Sequence, residues 1–505
     1  MMGRISAILA LAGLCSLPSV PVDAADPSTL TIGVGAVAET LDPHLSLSGL
    51  STLTYANVFS TLTIVDFSRG MAELKPGLAA SWKLVNPTTW EFTLRRGVQF
   101  SDGEPFNAET VKFSIERVMD PATKSPVRGR IPNVEAVQIV DPLTVRVVSK
   151  APDPILPKRM AVVFMVPPKY MQRVGAKQFA SKPVGTGSFC VDQYVPLQEV
   201  SLVACGAGSG GVRLRRVKMV QIPEASSRVA ALRSGGVQAI QNVPLDQVEL
   251  LRKENFQIRH AIAGRTMMLM LRAQTETPLK DRNVRLALSH AVDSGAIFTN
   301  LVRGFGALAN GQPIGPDGFG HNPVIKPLRY DPAQAKELLA KAGYPNGFTI
   351  TMDATNGVYV ADRDTSQSAQ AYFSAIGVTL KEVTVEFGEF QRRTDSGTHE
   401  PIFLGSYNYF PIMDGDFVLQ WFWSKHPVKV GAYPDFDKTF EASRSEMDAK
   451  KRAELLRQAS RIVHDEAAAV YLFRPPDIYA VASGVAGFTP RPDLLLLFDQ
   501  ISVAQ

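Results

Sequence analysis

PGLAASWKLVNPTTWEFTLRRGVQFSDGEPFNAETVKFSIERV, residues 76–118, carries more structural information than any other stretch of the chain. Trp90, Phe92 and Leu94 alternate with Glu91, Thr93 and Arg95, the period-two pattern of a strand with one buried face. Asn86 and Pro87 mark a turn before it, which predicts a hairpin between residues 82–85 and 90–94. Ser101, Asp102 and Gly103 read as a second turn, with Gly supplying the positive φ of the corner. Asn107 then caps a helix that places Val111, Ile115 and Val118 on one face.

Outward from that stretch the chain runs to 505 residues. One hydrophobic core does not grow that large, so roughly two to four domains are expected. Apolar residues make up 45% and charged residues 20%, an ordinary globular composition. A net charge of +5 is mild over this length, and no long block of like charges occurs. Both observations argue against a nucleic-acid groove or a polybasic membrane patch. The densest basic cluster, Arg213, Arg215, Arg216 and Lys218, interleaves with Leu214, Val217 and Met219, which reads as a strand with one wet face.

Residues 1–24 read as a secretory leader: Arg4 supplies the charged region, residues 5–17 the apolar core, and Val22 and Ala24 the small residues before a cut after Ala24. The apolar run is too short to anchor in a bilayer. Leu14 stands before Cys15 where a lipid-attachment motif takes a small residue, so a free periplasmic product is expected. Export changes how Cys190 and Cys205 read. A hairpin folded about Leu197 and Gln198 sets the two directly opposite each other, within reach of a disulfide in an oxidising compartment. Two buried free thiols are the alternative.

The opening stretch, extended by Leu74 and written as L-x-P-x-LA-x-SW … W-x-F-x-LR-x-GV-x-FSDG-x-PF-x-AE-x-V, resembles the signature of the extracytoplasmic solute-binding proteins of peptide-type ABC importers, family 5. That group takes oligopeptides, dipeptides, nickel, haem, glutathione, opines and some oligosaccharides. KPVGTGSF at 182–189 and YDPAQAKELLAKAGYPNG at 330–347 resemble further family segments, as does 278–302, with Asp281 at the start of one expected helix. The resemblance covers nearly all of the mature chain. It implies an α/β, bilobed type II periplasmic binding protein fold with an additional domain. The implied layout is a leader at 1–24, lobe I from 25–68, 183–263 and 473–505, an extra domain at 69–182, and lobe III at 264–472. The implied activity is capture of an oligopeptide-like or modified amino-compound solute, delivered by a monomeric receptor to an inner-membrane ABC permease. A nickel or haem complex, a sugar or an opine is the alternative cargo, and a secreted hydrolase the remotest one.

Between these segments the pattern predicts a buried strand at 161–168, a helix capped by Ser226 or Ser227, and a strand at 267–271. GAGSGG at 206–211 fits G-x-G-x-x-G formally, but a strand pattern follows it where a dinucleotide site needs a helix. It reads as a loop, and no cofactor motif is found.

Enzyme chemistry leaves no trace. Seven histidines occur without H-E-x-x-H spacing, the cysteines lack C-x-x-C spacing, and no P-loop is present, so neither a metal site nor a catalytic group is assigned. Residues 407–423 are different. Tyr407, Tyr409, Trp421 and Trp423 gather there beside Asn408 and Asp414, giving large apolar area with polar handles suited to a ligand cleft. These six are the candidate ligand-binding residues. In peptide-binding relatives an Asp next to an aromatic pairs with the peptide ammonium, and the resemblance, aligned through the aromatics, sets Asn408 at that place, with Asp414 or Asp416 there in a shifted alignment. A neutral Asn does not supply the charge a buried ammonium needs. Asn408→Asp is therefore expected to create affinity for free peptide N-termini.

Overall fold

The structure, a computed structural model, describes residues 28–68, 70–205 and 211–504. The leader reading and most of the GAGSGG stretch lie outside the described residues. Two large mixed sheets and one small antiparallel sheet organise the rest.

The first large sheet defines lobe I. Its seven strands run in the order Gln257–Ile262, Pro476–Val481, Ala239–Gln241, Thr29–Val34, Arg216–Gln221, Glu199–Ala204 and Phe189–Val195. Strands from the start, middle and end of the chain thus share one sheet. Thr29–Val34 is parallel to both neighbours and buries Leu30, Ile32 and Val34. In Arg216–Gln221, Val217 and Met219 point into the core, while Arg216 and Lys218 pair outward with Asp192 and Glu199. The second half of the cluster is the half-wet strand that its alternation predicts, whereas Arg213, Leu214 and Arg215 precede the strand.

The second large sheet defines lobe III. Its six strands run Ala307–Leu308, Ala469–Arg474, Arg265–Leu271, Ile402–Asn408, Thr349–Ala354 and Thr379–Thr384. Arg265–Leu271 is buried from Thr266 onward, as expected of a central strand with helices on its faces. Helix Ala449–Asp465, capped by Asp448, lays Leu456, Ala459 and Val463 inward.

The opening stretch builds the small sheet of the extra domain. Ala79–Asn86 pairs with Thr89–Leu94, which pairs with Thr144–Ser149, and Val134–Asp141 closes the other side. Asn107 accepts hydrogen bonds from the Glu109 and Thr110 N–H groups, and Thr110 accepts one from the Asn107 N–H. Such a capping box contributes about 1 kcal/mol to the start of helix Ala108–Met119. Past the extra domain, Gly185 and Gly187 lay the returning chain onto the first part of lobe I. A Cβ on Gly185 would stand 1.9 Å from the Val58 carbonyl oxygen, and one on Gly187 2.3 Å from that of Asn57. Only a side chain without Cβ lets the loop lie on the end of helix Gly49–Val58.

Local expectations differ from the fold at four places. Residues 161–168 form no strand: Phe164 bridges Thr61, Met165 donates to the Ser60 carbonyl, and the Val166 N–H and carbonyl are both met by Ser114 Oγ. An apolar run looks the same to periodicity whether it pairs in a ladder or threads between layers. The helix at 225 starts after Glu224, with Ser226 and Ser227 inside its first turn. The expected helix at 278–302 is broken. A 3₁₀ turn precedes Arg282–Ala291, and Val292 is extended before Asp293 caps a second helix. Cys190 and Cys205 are bonded with Cα atoms 5.7 Å apart, but Cys190 faces Val203. A bulge between Val191 and Gln193 and a turn with Leu197 at φ 60° shift the register, so the bridge runs diagonally.

Candidate functional site

The chain crosses between the two large sheets twice at one place. Strand Gln257–Ile262 of lobe I passes through Ala263 and Gly264 into Arg265–Leu271 of lobe III, and Ala469–Arg474 returns through Pro475 into Pro476–Val481. The crossings are tied together. Ala263 N–H donates to the Pro475 carbonyl at 3.0 Å, Gly264 N–H to Pro492 at 2.8 Å, and Tyr409 N–H to Gly264 at 2.9 Å.

A cavity of about 1180 Å³ opens beside these crossings. It exceeds the roughly 300–1,000 Å³ of a typical small-ligand cleft. Tyr55, Gln241 and Asp477 wall it from lobe I, Arg130 from the extra domain, and Tyr407 and Trp421 from lobe III. Of the six sequence candidates, Tyr407, Asn408 and Trp421 line it. The Tyr407 and Trp421 rings meet edge to face at 4.5 Å.

Tyr409, Asp414 and Trp423 do not line it. The strand ends at Asn408, where the Tyr409 N–H bonds to the Gly264 carbonyl, and the chain turns so that the Tyr409 ring leaves the cavity. Its hydroxyl donates to Asp317 at 2.9 Å and accepts from the Gly315 N–H at 3.1 Å. Trp423 donates to Glu441 and packs under Arg444. Asp414 is fully buried and belongs to an ionic network. It receives Arg452 through both oxygens at 2.6 and 2.9 Å and Lys158 at 3.1 Å. Beside it, Asp416 receives Arg444 and Arg159. Burial opposes charge on Asp414, but Arg452 and Lys158 outweigh it and hold the carboxyl below the usual carboxylate range. This network joins the extra domain to lobe III.

Residues that sequence reasoning missed carry the charge of the cavity. Arg130 lies 5.0 Å from the Phe417 ring centre, and no described carboxylate pairs with it. Burial, reinforced by Arg159, pulls it down to about 10. Arg265 also lines the cavity; its guanidinium makes no hydrogen bond or close ion pair among the described residues, and burial lowers it while Asp477 pulls it back. Asp477 is 4% exposed, and burial pushes it up to about 6 against the pull of Arg265, Tyr479 and Gln241. By contrast Asp493 is clamped by Arg491, and Arg228 spends its donors on the Ile222, Pro223, Gln241 and Asn242 carbonyls.

Buried polar atoms are nearly always paired in folded proteins. Here Gln241 Oε1, Arg265 Nε, Ser406 Oγ, Tyr407 Oη and Asp477 Oδ2, all on residues lining the cavity, have no protein partner. Such a wall suits a polar solute that completes its hydrogen bonds. No signal in the sequence singles out Arg265 or Asp477, because each sits at the end of an ordinary strand.

One hydroxyl–imidazole–carboxylate chain borders the cavity. Thr394 Oγ1 lies 2.9 Å from His399 Nε2, and His399 Nδ1 lies 2.9 Å from Asp353 Oδ2. Thr394 donates its proton to the Phe390 carbonyl, and the imidazole stacks flat on Phe403 at 4.2 Å. These bonds lock the helix end in place. Among the described residues no group of three or more His, Cys, Asp or Glu side chains is placed to hold a metal ion, and no helix is long and apolar enough to cross a membrane.

Comparison with known proteins agrees with this architecture. The family profile described as bacterial extracellular solute-binding proteins, family 5 Middle, matches residues 73–429. A dipeptide-binding protein of Escherichia coli (strain K12) is 28% identical over 513 residues, covering 92% of this chain and 92% of the relative. A glutathione-binding protein of Escherichia coli O6:K15:H31 is 27% identical over 366 residues, covering 71% and 70%. Among solved structures, the Helicobacter pylori periplasmic binding protein DppA in complex with the peptide STSA superposes with a TM-score of 0.79 at 26% identity, covering 94% of this chain and 98% of that one.

Proposed function

We propose, from the premise that this chain belongs to the bacterial extracellular solute-binding proteins of family 5, that it captures a peptide-like or modified amino-compound solute between its two lobes for ABC import. The observation that carries this reading is the large cavity at the double crossing, walled from both lobes and lined by polar atoms without protein partners. A solute that touches both lobes stabilises their closed arrangement over the open one, so binding energy is converted into a shape an inner-membrane permease can recognise.

Tyr407, Asn408 and Trp421 then contact the solute directly, while Tyr409, Asp414 and Trp423 hold the wall behind them. The division into leader, two lobes and extra domain at the boundaries given above follows the same reading, with the lobes hinging at residues 263–264 and 475. The protein works as a periplasmic monomer freed from its leader, and it holds its cargo without chemical change.

Native mass spectrometry of the protein recovered by osmotic shock tests this. The expected result is one low-mass solute per chain, lost on denaturation and unaltered on prolonged incubation. A bare protein mass, or a solute that is converted with time, would contradict it.

A further inference from the structure

One rung of the lobe III sheet decides the charge of the cavity. Arg265 and Asn408 stand directly opposite each other across the two central strands, and both line the cavity. Opposed residues in an antiparallel pair share a face, with Cβ atoms about 4.5–5.5 Å apart. A carboxylate at 408 would therefore neutralise the guanidinium; Asn leaves it charged and unpaired. A buried charge is costly unless something pairs with it.

Asp477 stands on the other side of the crossing. It pairs with Ala261 three residues before Gly264, and Arg265 follows that glycine. Arg265 and Asp477 attract each other, yet no ion-pair contact forms between them. Asp477 Oδ2 and the neighbouring Gln241 Oε1 are buried acceptors without donors. A donor-rich cation placed there would satisfy both, as an anion would satisfy Arg265.

We infer that Arg265 and Asp477 form a charge-reading subsite across the crossing, which takes the carboxylate of an amino-acid derivative on the Arg265–Asn408 rung and its amine on Asp477. The inference rests on the receptor reading and names its substrate class. Arg303, Asp246 and Asp364 also line the cavity but are exposed at its rim; of the lining groups drawn into the wall, Arg130 is the second guanidinium without a carboxylate partner and calls for a further acidic group, so the preferred solute carries one amine and two acids. Acidic dipeptides and N-carboxyalkyl amino acids have this chemistry. The subsite joins the two lobes, so the solute that fills it also ties them together.

The groups facing Asp477 are Arg265 from lobe III, Gln241 from the adjacent strand and Tyr479 from its own. With its carboxyl held up to about 6, it is ionised at neutral pH and protonated in mild acid. An amine then loses its counter-charge, so affinity falls between pH 7 and pH 5.

Thermal-shift titration at millimolar concentration tests the assignment. The probes are a set of acidic dipeptides and N-carboxyalkyl amino acids, their N-acetyl forms, and their diamides. We expect upshifts from members of the free anionic set, at least tenfold weaker effects after N-acetylation, and none from the diamides. Arg265→Gln removes the response, and Asp477→Asn removes the discrimination against N-acetyl forms. Both variants melt unliganded near the wild-type temperature, because the burial cost each charge carries offsets the attraction it loses. Asn408→Asp places a carboxylate on the rung and also removes anion binding. This reverses the expectation from sequence, since the new charge faces Arg265 and is consumed by it. Upshifts from the diamides, no upshift from any anionic probe, responses unchanged in Arg265→Gln, or variants destabilised without ligand would each overturn the inference. A neutral solute found by native mass spectrometry would overturn it too, yet leave the receptor reading intact; a protein that carries and binds no solute sinks that reading itself.

Discussion

Asp414→Asn separates a scaffold role from a ligand role at one atom. The sequence places Asp414 among the ligand-binding residues, whereas the fold buries it completely between Arg452 and Lys158. Arg452 is itself only 3% exposed and directs both terminal nitrogens at this carboxylate. Removing one partner of a buried ion pair leaves the other charge uncompensated, at a cost of about 3–5 kcal/mol. Asn keeps one acceptor oxygen and Asp416 remains nearby, so the expected loss lies at the lower end, about 3 kcal/mol. Urea unfolding at pH 7 reads that loss directly, and solute affinity of the folded variant stays within a few-fold of wild type. The sign with pH follows from the depressed carboxyl. The stabilisation is fully present above the unfolded carboxylate value of about 3.9 and is lost as pH falls through the lower folded value, so wild type and variant converge only in strong acid. A loss under about 1 kcal/mol, or a collapse of solute affinity with stability intact, would refute this reasoning.

Three further outcomes are expected. Replacing Cys190 and Cys205 by Ser opens a bridge of sequence separation 15 and destabilises by about 3 kcal/mol, read from the difference in melting between oxidised wild type and the double variant. Gly185→Ala drives a Cβ into the Val58 carbonyl and costs about 1–3 kcal/mol or more, measured by denaturant unfolding; a neutral result would mean the loop does not lie where the fold puts it. Trp421 is the one described tryptophan that lines the cavity, so solute-induced fluorescence change disappears in Trp421→Phe. Trp421→Ala weakens solute binding by about 2 kcal/mol in calorimetric titration.

Much of the fold is legible in local chemistry. The hairpin at Trp82 and Trp90, the Asn107 cap and the cap at Asp281 all follow from alternation and from side chains that meet orphan backbone groups. The stretch at 161–168 escapes because its burial comes from distant partners such as Ser60 and Ser114. The disulfide is right in its partners and wrong in its rung, since a bulge at Asp192 cannot be read from spacing. The site is legible only in part. Aromatic density points to residues 407–423, yet the chain turns after Asn408 and gives Tyr409 to Asp317 and Gly315, and an ionic network claims Asp414. Arg265 and Asp477 are 212 residues apart in sequence, and only the double crossing brings them to one wall.

A crystal structure of the protein purified with its own solute retained tests the central claim most directly. The expected result is density for one solute enclosed in the cavity between lobe I and lobe III, with an acidic group on Arg265 and an amine on Asp477. A solute bound elsewhere, or one held in the cavity with neither Arg265 nor Asp477 in contact, would contradict it.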